Sequence, residues 1–232
     1  RMLGPEPSTC MCLENGRYTR NAATSAMCAH HRSAKPVART SGANQARNGP
    51  ARATARAAIA GDTLTKWGPA KESAEYVVNH TKILRVGESL LAVTGNATFK
   101  HIVDDYFGSF DTPPALDSVG DIFRVWNRMH GEFKERYFLQ AEEDKEDAIE
   151  STRLDVLIAN PHGIFGVSGQ RTVQEFSRFY AYGSGGDYAL GALWSVYNRD
   201  DLDAEAVARH GILAAIEFDD GTGAPVESFV IP

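Results

Sequence analysis

The sequence has no cysteine after residue 28 and no long apolar run. All three cysteines, Cys10, Cys12 and Cys28, lie near the start of the chain, so the remainder is expected to fold without disulfides, as cytosolic proteins do. No apolar stretch approaches the roughly 20 residues that a membrane-spanning helix requires. These two absences predict a cytoplasmic protein that does not enter a membrane.

Acidic residues are scarce at the start of the chain. Residues 1–58 hold nine Lys or Arg and two Glu, a net charge of +7, so a total of −6 leaves −13 for the rest. An acidic body argues against nucleic acid as a partner. Residues 1–56 also lack the apolar region of a secretory signal. We interpret them as an atypical segment, either disordered, a propeptide or wrongly assigned, and residues 57–232 as one domain.

The cysteines and histidines do not have the spacing that metal ligands usually have. The cysteines, with His30 and His31, give C-x-C followed by C-x-H-H, which is not the usual two-to-four-residue spacing of zinc ligands. Further histidines are scattered without ligand spacing, at His80, His101, His162 and His210. We expect neither a metal nor a cofactor.

Four separated segments carry polar residues in apolar surroundings. The run 57–63 is typical of a buried strand that ends in Asp62. In the run 81–86, Lys82 interrupts apolar neighbours, and a buried lysine requires a partner, for which Asp62 is suitable. The other two segments are the glycine-rich run 183–191, which contains Ser184, and the turn 219–223.

Each segment alone also has a purely structural interpretation. Asp62 and Lys82 are compatible with a structural ion pair, residues 183–186 with a turn before a helix, and residues 219–221 with an ordinary turn. No Lys-Ser/Thr follows the glycines, so they do not form a phosphate-binding loop. Only the conjunction of the four segments favours an enzyme.

Taken in this order, the four segments resemble the β-type subunits of the proteasome family, including the HslV-like peptidases and their betaproteobacterial homologues. The resemblance covers roughly residues 57–232. It implies an α+β fold, the four-layer αββα sandwich of the N-terminal-nucleophile (Ntn) hydrolases, in which two antiparallel sheets lie between helical layers. It also implies a threonine-type endopeptidase whose nucleophile is the hydroxyl of a threonine freed at the N-terminus.

The resemblance assigns roles to individual residues. The implied catalytic residues are Asp62, Lys82, Gly95 as the donor of an oxyanion-hole N–H, Ser184, Asp219 and Thr222. Substrate is implied to bind as an extended strand, with main-chain contacts at Lys66 on one side and at Gly95 and Ala97 on the other. Val93 corresponds to the base of the specificity pocket, which predicts a preference for apolar side chains.

The chemistry is plausible on physical grounds. A threonine hydroxyl is a poor nucleophile, but its own α-amine, with a pKa near 8, is a suitable base at neutral pH. A Lys82 cation fixed by Asp62 lowers the cost of an alkoxide-like oxygen beside it. Gly95 has no Cβ to obstruct a substrate that approaches its N–H.

The nucleophile itself departs from the family pattern. Counting back sixteen residues from Asp62 reaches Ala46, which has no hydroxyl. Thr40 is the candidate nucleophile, exposed by cleavage between Arg39 and Thr40 with the surplus residues bulging. The alternative, which we prefer for this chain while keeping peptidase as the activity of the family, is an N-terminal segment changed by a frame error or belonging to a decayed, inactive subunit.

The implied assembly is a homo-oligomeric ring that encloses its active sites and receives unfolded polypeptides, with an AAA+ ATPase unfoldase as a partner. Two other functions remain open: a catalytically inactive structural ring subunit, and an Ntn amidohydrolase that acts on small amides. The nature of the mature N-terminus distinguishes the first of these from an active peptidase.

Periodicity predicts the elements that follow Asp62. We expect hairpins over 82–95 and 154–168, a further strand run over 173–179, helices over 96–107, 119–138, 188–197 and 203–215, and final strands at 216–218 and 226–231.

Overall fold

The structure, a computed structural model, describes residues 25–30, 57–140 and 148–231, and for 25–30 the backbone alone is described. Its strands form two antiparallel sheets and one short hairpin. The first sheet has the order β10-β1-β2-β11 and consists of β1 (Ser25–His30), β2 (Ala57–Asp62), β10 (Phe179–Gly183) and β11 (Val226–Ile231). The second has the order β5-β6-β7-β8-β9 and consists of β5 (Ile83–Val86), β6 (Ser89–Thr94), β7 (Asp155–Asn160), β8 (Gly163–Val167) and β9 (Val173–Phe176). The hairpin pairs β3 (Thr65–Trp67) with β4 (Ala70–Glu72).

Two helices cover the outer face of each sheet. The second sheet packs against α1 (Ala97–Gly108) and α2 (Val119–Glu135), and the first against α3 (Gly186–Val196) and α4 (Ala204–Phe218). The inner faces of the two sheets contact each other through β1, β2, β6 and β7. The protein is therefore an αββα sandwich, and the predicted fold class is confirmed.

Local sequence explains where the helices begin. The side chain of Asn96 accepts a hydrogen bond from Thr98 N at 2.9 Å and caps α1. Ser118 caps α2 in the same way, accepting from Asp121 N at 3.2 Å. The apolar residues of α2 then recur at helical spacing and are buried against the second sheet, at Ile122, Val125, Trp126, Met129 and Phe133.

The buried side chains form three clusters that follow the layers. One lies between the second sheet and its helices, one between the first sheet and its helices, and one between the sheets. All six residues of β2 are buried, and its small residues Ala58 and Ala60 allow α4 to pack closely on it. Asp62 thus stands at the end of a strand that is covered on both faces.

Three elements differ from the sequence predictions. Residues 216–218, predicted as a strand, continue α4, because Ile216 packs with the helix cluster and Asp219 N donates to Ala215 O at 2.8 Å. The structure also contains the β3–β4 hairpin and β1, which had no strand-like sequence signal. β1 lies inside the atypical segment 1–56, whose other residues are outside the described part of the chain.

Candidate active site

Asp62 and Lys82 form a buried ion pair at the end of β2. Lys82 Nζ donates to Asp62 Oδ1 at 2.7 Å, and the two residues are 6% and 0% exposed. Lys82 Nζ also donates to Leu64 O at 2.5 Å. Among the described residues, no acceptor is bonded to the third N–H of this ammonium, which leaves that proton available to a substrate or nucleophile oxygen.

Backbone N–H groups hold the second oxygen of Asp62. Oδ2 accepts from Leu64 N and from Gly223 N, each at 3.0 Å. A Cβ on Gly223 would lie 2.8 Å from Leu64 Cβ, so only glycine permits this approach. Backbone donors and the lysine together stabilise an ionised carboxylate in a dry position.

Burial makes Lys82 easier to deprotonate than an ordinary lysine. Desolvation lowers its pKa from 10.5, and the charge of Lys100 acts in the same direction. The carboxylates of Asp62 and Asp219 oppose this shift. The site thus holds a cation that has lost its hydration and is kept in place by its partner.

A second cluster joins Ser184, Asp219 and Thr222. Ser184 Oγ donates to Asp219 Oδ2 at 2.7 Å, and Thr222 Oγ1 donates to the same oxygen at 2.5 Å. Asp219 directly follows α4, whereas Ser184 lies between β10 and α3. The turn 219–223 also supplies Gly223 N to Asp62, so it connects this cluster to the ion pair.

The predicted oxyanion donor lies at the end of the next hairpin. Gly95 follows β6 and has φ +102°, a conformation that favours glycine. A Cβ there would lie 2.6 Å from Arg153 O. Val93 is buried in the cluster between the second sheet and α1, and its N donates to Lys82 O at 3.0 Å. Ala97 is the half-buried first residue of α1.

Lys66 lies on β3, where its side chain forms an ion pair with Asp220. Lys66 lowers the pKa of the Asp220 carboxyl. Because Asp220 follows Asp219, this pair ties the β3–β4 hairpin to the turn that carries the serine's partner. The predicted main-chain contact of Lys66 with substrate remains a prediction.

The strand β1 lies between β10, which leads to Ser184, and β2, which ends in Asp62. Thr40 lies outside the described residues. Ser25, the first residue of β1, is in register with Gly183, and Ala26 is in register with Gly61. The backbone of Ser25 therefore lies between Gly183, next to Ser184, and the end of β2 that carries Asp62.

Sequence reasoning missed the backbone contributors to this site. Leu64 provides both an N–H to Asp62 and a carbonyl oxygen to Lys82, and Gly223 provides the other N–H. The type of a residue does not reveal which hydrogen bonds its backbone makes, except where close packing requires glycine. The glycine of Asp-Asp-Gly-Thr-Gly at position 223 was the one available signal.

No group of three or more potential metal ligands occurs among the described residues. No helix of the described ranges is long and apolar enough to cross a membrane. The zinc ligands considered above include Cys10, Cys12 and His31, which lie outside these ranges.

Comparisons with known proteins agree with this geometry. No family model matches the chain, and no curated protein does. The solved structure "Thiobacillus denitrificans BPH" is 55% identical, with a TM-score of 0.76, over 89% of this chain and 97% of that one. The same protein in complex with epoxomicin gives 55% identity, a TM-score of 0.75 and the same coverage. HslV from Trypanosoma brucei shares the fold, at 17% identity and a TM-score of 0.57 over 90% of this chain and 99% of that one. This chain belongs to the family of proteasome β-type and HslV-like threonine proteases.

Proposed function

We propose that this chain is a subunit of a threonine-type, proteasome-like endopeptidase that hydrolyses peptide bonds in unfolded polypeptides. The observation that carries the proposal is the buried Asp62–Lys82 pair, which the turn 219–223 connects to the cluster of Ser184 and Asp219 through the bond from Gly223 N to Asp62. A buried pair of this kind adds little net stability. A buried ion pair that is connected to a serine–aspartate cluster therefore favours a catalytic role over a purely structural one.

In the proposed reaction, an N-terminal hydroxyl attacks the peptide carbonyl while its own α-amine takes the proton. Lys82 stabilises the attacking oxygen through its free N–H, and Asp62 keeps Lys82 protonated and in place. The N–H of Gly95 stabilises the negative charge that develops on the carbonyl oxygen. Ser184, oriented by Asp219 and Thr222, relays the proton to the leaving amine, which departs and leaves an ester that water hydrolyses.

Two residues compete for the role of nucleophile. Thr40 requires cleavage after Arg39. Ser25, favoured by the register of β1 with Gly183 and β2, requires cleavage after Thr24 and would make the nucleophile a serine in place of the threonine of the family. Each cleavage would free the α-amine that the reaction needs. If the mature chain begins at neither residue, the inactive structural subunit is the better description.

We also propose that the subunit assembles with copies of itself. The helical layer on the first sheet exposes large apolar side chains, with Trp194 70% and Phe218 68% accessible. The rings of Tyr188 and Phe218 contact each other on this surface in a tilted arrangement, with centroids 5.8 Å apart and an interplanar angle of 34°. Exposed apolar surface of this extent is typical of an interaction site. We propose that this surface joins the subunits into a ring that encloses the active sites, and that an ATPase unfoldase delivers polypeptides to the ring.

Intact mass and N-terminal sequencing of the purified protein, combined with hydrolysis of fluorogenic peptides, test the proposal. We expect Lys82→Ala to abolish hydrolysis and Ser184→Ala to reduce it strongly, with oligomer size unchanged. Lys134→Ala, on the exposed face of α2, is the matched control and should retain full activity. Epoxomicin, which the Thiobacillus relative binds, should inhibit the wild type, and peptide mapping of the adduct identifies the nucleophile. Unchanged turnover in Lys82→Ala contradicts the mechanism.

A further inference from the structure

The residues that precede β7 lie beside the Gly95 end of β6. The two strands are antiparallel, with Thr94 in register with Asp155, so the residues before Asp155 run alongside those after Thr94. Thr94 Oγ1 donates to Asp155 O at 3.0 Å. The carbonyl oxygen of Arg153 is so close to Gly95 that a Cβ on the glycine would lie 2.6 Å from it. Residues 152–155 therefore border the candidate oxyanion donor.

Arg153 has a backbone conformation that is unusual for its residue type. Its φ is +52°, in the left-handed region that residues with a side chain rarely adopt. Residues 152–154 belong to neither a helix nor a strand, so no regular ladder imposes this conformation. A backbone of this kind persists only where the surrounding contacts hold it. The contacts around Arg153 therefore determine where its carbonyl oxygen lies.

The turn between β8 and β9 supplies such contacts through Gly169. Gly169 N donates to Asp155 Oδ1 at 3.0 Å. Gly169 O accepts from Thr152 N at 2.9 Å and from Thr152 Oγ1 at 3.1 Å. Gly169 is thus bonded to the two residues that flank Arg153 and Leu154, and it fixes both ends of the left-handed step.

The turn and the residues before β7 approach each other closely. A Cβ on Gly169 would lie 2.8 Å from Ser151 Oγ and 3.2 Å from Arg153 N. A second attachment comes from Arg171, whose Nη1 donates to Glu150 O at 3.0 Å. The turn is therefore positioned to control the path of the backbone that leads into β7.

The Asp155 carboxylate acts in this arrangement as an acceptor for a backbone N–H. The side chain is half-buried. Burial raises the pKa of its carboxyl, whereas the bond from Gly169 N opposes that shift. An amide oxygen would accept the same bond without carrying a charge. If Asp155 serves as an acceptor, asparagine should be able to replace it.

We propose that Asp155 is a positioning residue for the N–H of Gly95. By holding Gly169, it keeps residues 152–155 in place, and with them the Arg153 carbonyl oxygen that borders Gly95. Transition-state stabilisation by an N–H depends on where that donor lies, so loosening this support should slow turnover. The effect on turnover rests on the proposed peptidase function, whereas the order of the backbone around Gly95 does not.

Two substitutions at Asp155 separate the hydrogen bond from the charge. Asp155→Ala removes the acceptor, and we expect kcat for fluorogenic peptides to fall roughly tenfold with KM within about twofold, because the N–H acts in the transition state. Asp155→Asn keeps the acceptor and should keep kcat near the wild-type value. The matched control is Glu205→Ala. Half-buried Glu205 also accepts a side-chain bond, from Ser228 Oγ at 2.6 Å, but between α4 and β11.

Hydrogen exchange followed by mass spectrometry tests the positioning without reference to activity. In Asp155→Ala, we expect the amides of residues 90–98, which include Gly95, to exchange about tenfold faster than in the wild type. Asp155→Asn and Glu205→Ala should leave exchange over 90–98 unchanged. A purely local role of Asp155 would speed exchange over 150–157 alone. Unchanged exchange over 90–98 in Asp155→Ala, or equally fast exchange in Asp155→Asn, overturns the proposal.

Thr152→Val is a milder variant that serves if Asp155→Ala does not fold. It removes the Oγ1 bonds to Gly169 O and Leu154 N but keeps the side-chain volume and the bond from Thr152 N. We expect exchange over 90–98 to be about threefold faster than in the wild type, and an unchanged rate overturns the proposal. A wild type without peptidase activity refutes only the proposed function, because the exchange rates still decide the role of Asp155.

Discussion

Replacing Asp62 with Asn tests the ion pair that organises the site. Asp62 is fully buried, and the amide nitrogen of Asn would face N–H donors where a carboxylate oxygen now accepts them. Lys82 would keep Leu64 O as an acceptor but lose its counter-charge. Removal of one partner of a buried pair costs about 3 to 5 kcal/mol. We expect the free energy of unfolding, measured by urea denaturation at pH 7, to fall by about 3 kcal/mol.

The second arm of the experiment removes the lysine. Lys82→Met leaves Asp62 with its two backbone donors, Leu64 N and Gly223 N, so we expect a smaller loss of stability than in Asp62→Asn. The loss in the free energy of unfolding of the double variant should be smaller than the sum of the losses of the two single variants, by about 1 to 3 kcal/mol. The cycle separates the pair interaction from the cost of burying each partner alone.

The pH dependence of Asp62→Asn has a definite sign. The folded-state pKa of Lys82 is already lowered by burial, and Asp62 opposes that shift, so the variant should lower it further. The unfolded state then binds more protons than the folded state, and stability rises with pH. We expect the variant to lose less stability, relative to the wild type, at pH 9.5 than at pH 7.

Both single variants should lack measurable peptide hydrolysis, because Lys82→Met removes the cation that stabilises the attacking oxygen and Asp62→Asn removes the carboxylate that holds this cation in place. The reasoning fails if Asp62→Asn unfolds at the same urea concentration as the wild type, or if Lys82→Met retains more than a tenth of wild-type turnover.

Three further predictions concern other parts of the molecule. Gly95→Ala should destabilise the fold by about 2 kcal/mol and reduce kcat/KM at least tenfold, because the added Cβ would lie 2.6 Å from Arg153 O and the backbone φ is +102°. The control is Gly131→Ala on α2, where an added Cβ meets no other atom. Equal effects of the two changes would contradict the assignment of Gly95. Hydrogen bonds from Lys134 and His130 lower the pKa of Glu150 from 4.5 to about 2. The stabilisation that Glu150 contributes to the fold is therefore present above pH 4.5 and is lost as pH falls toward 2. The melting temperature of Glu150→Gln should fall less than that of the wild type over this pH range, and an equal fall in both proteins would refute the linkage. Trp194→Glu should reduce the oligomer mass measured by light scattering, and an unchanged mass excludes this surface from the interface.

The sequence was informative where residue type and spacing reflect burial. Apolar runs joined by short turns located the hairpins of the second sheet, and helical spacing located the four helices of the described residues, with α4 longer than predicted. Lys82 could be paired with Asp62 because an unpaired lysine in an apolar strand is unfavourable. These inferences need only local pattern and elementary electrostatics.

The remainder depends on contacts that residue type does not encode. The strand β1 has no alternating pattern, and its place between β2 and β10 follows from the register of its neighbours. The strands of the β3–β4 hairpin are too short to show a periodic pattern of apolar residues in the sequence. Leu64 and Gly223 contribute through their backbones, and the bonds of Gly169 to Thr152 and Asp155 join two segments whose contact the sequence does not indicate.

The bond from Gly223 N to Asp62 spans 161 residues of the chain. The carboxylate that fixes the lysine cation therefore acquires both of its backbone donors only after residue 223 has been synthesised. Before that point Asp62 lacks one of its two backbone donors, so the surroundings of the ion pair are incomplete while the earlier part of the chain is being synthesised.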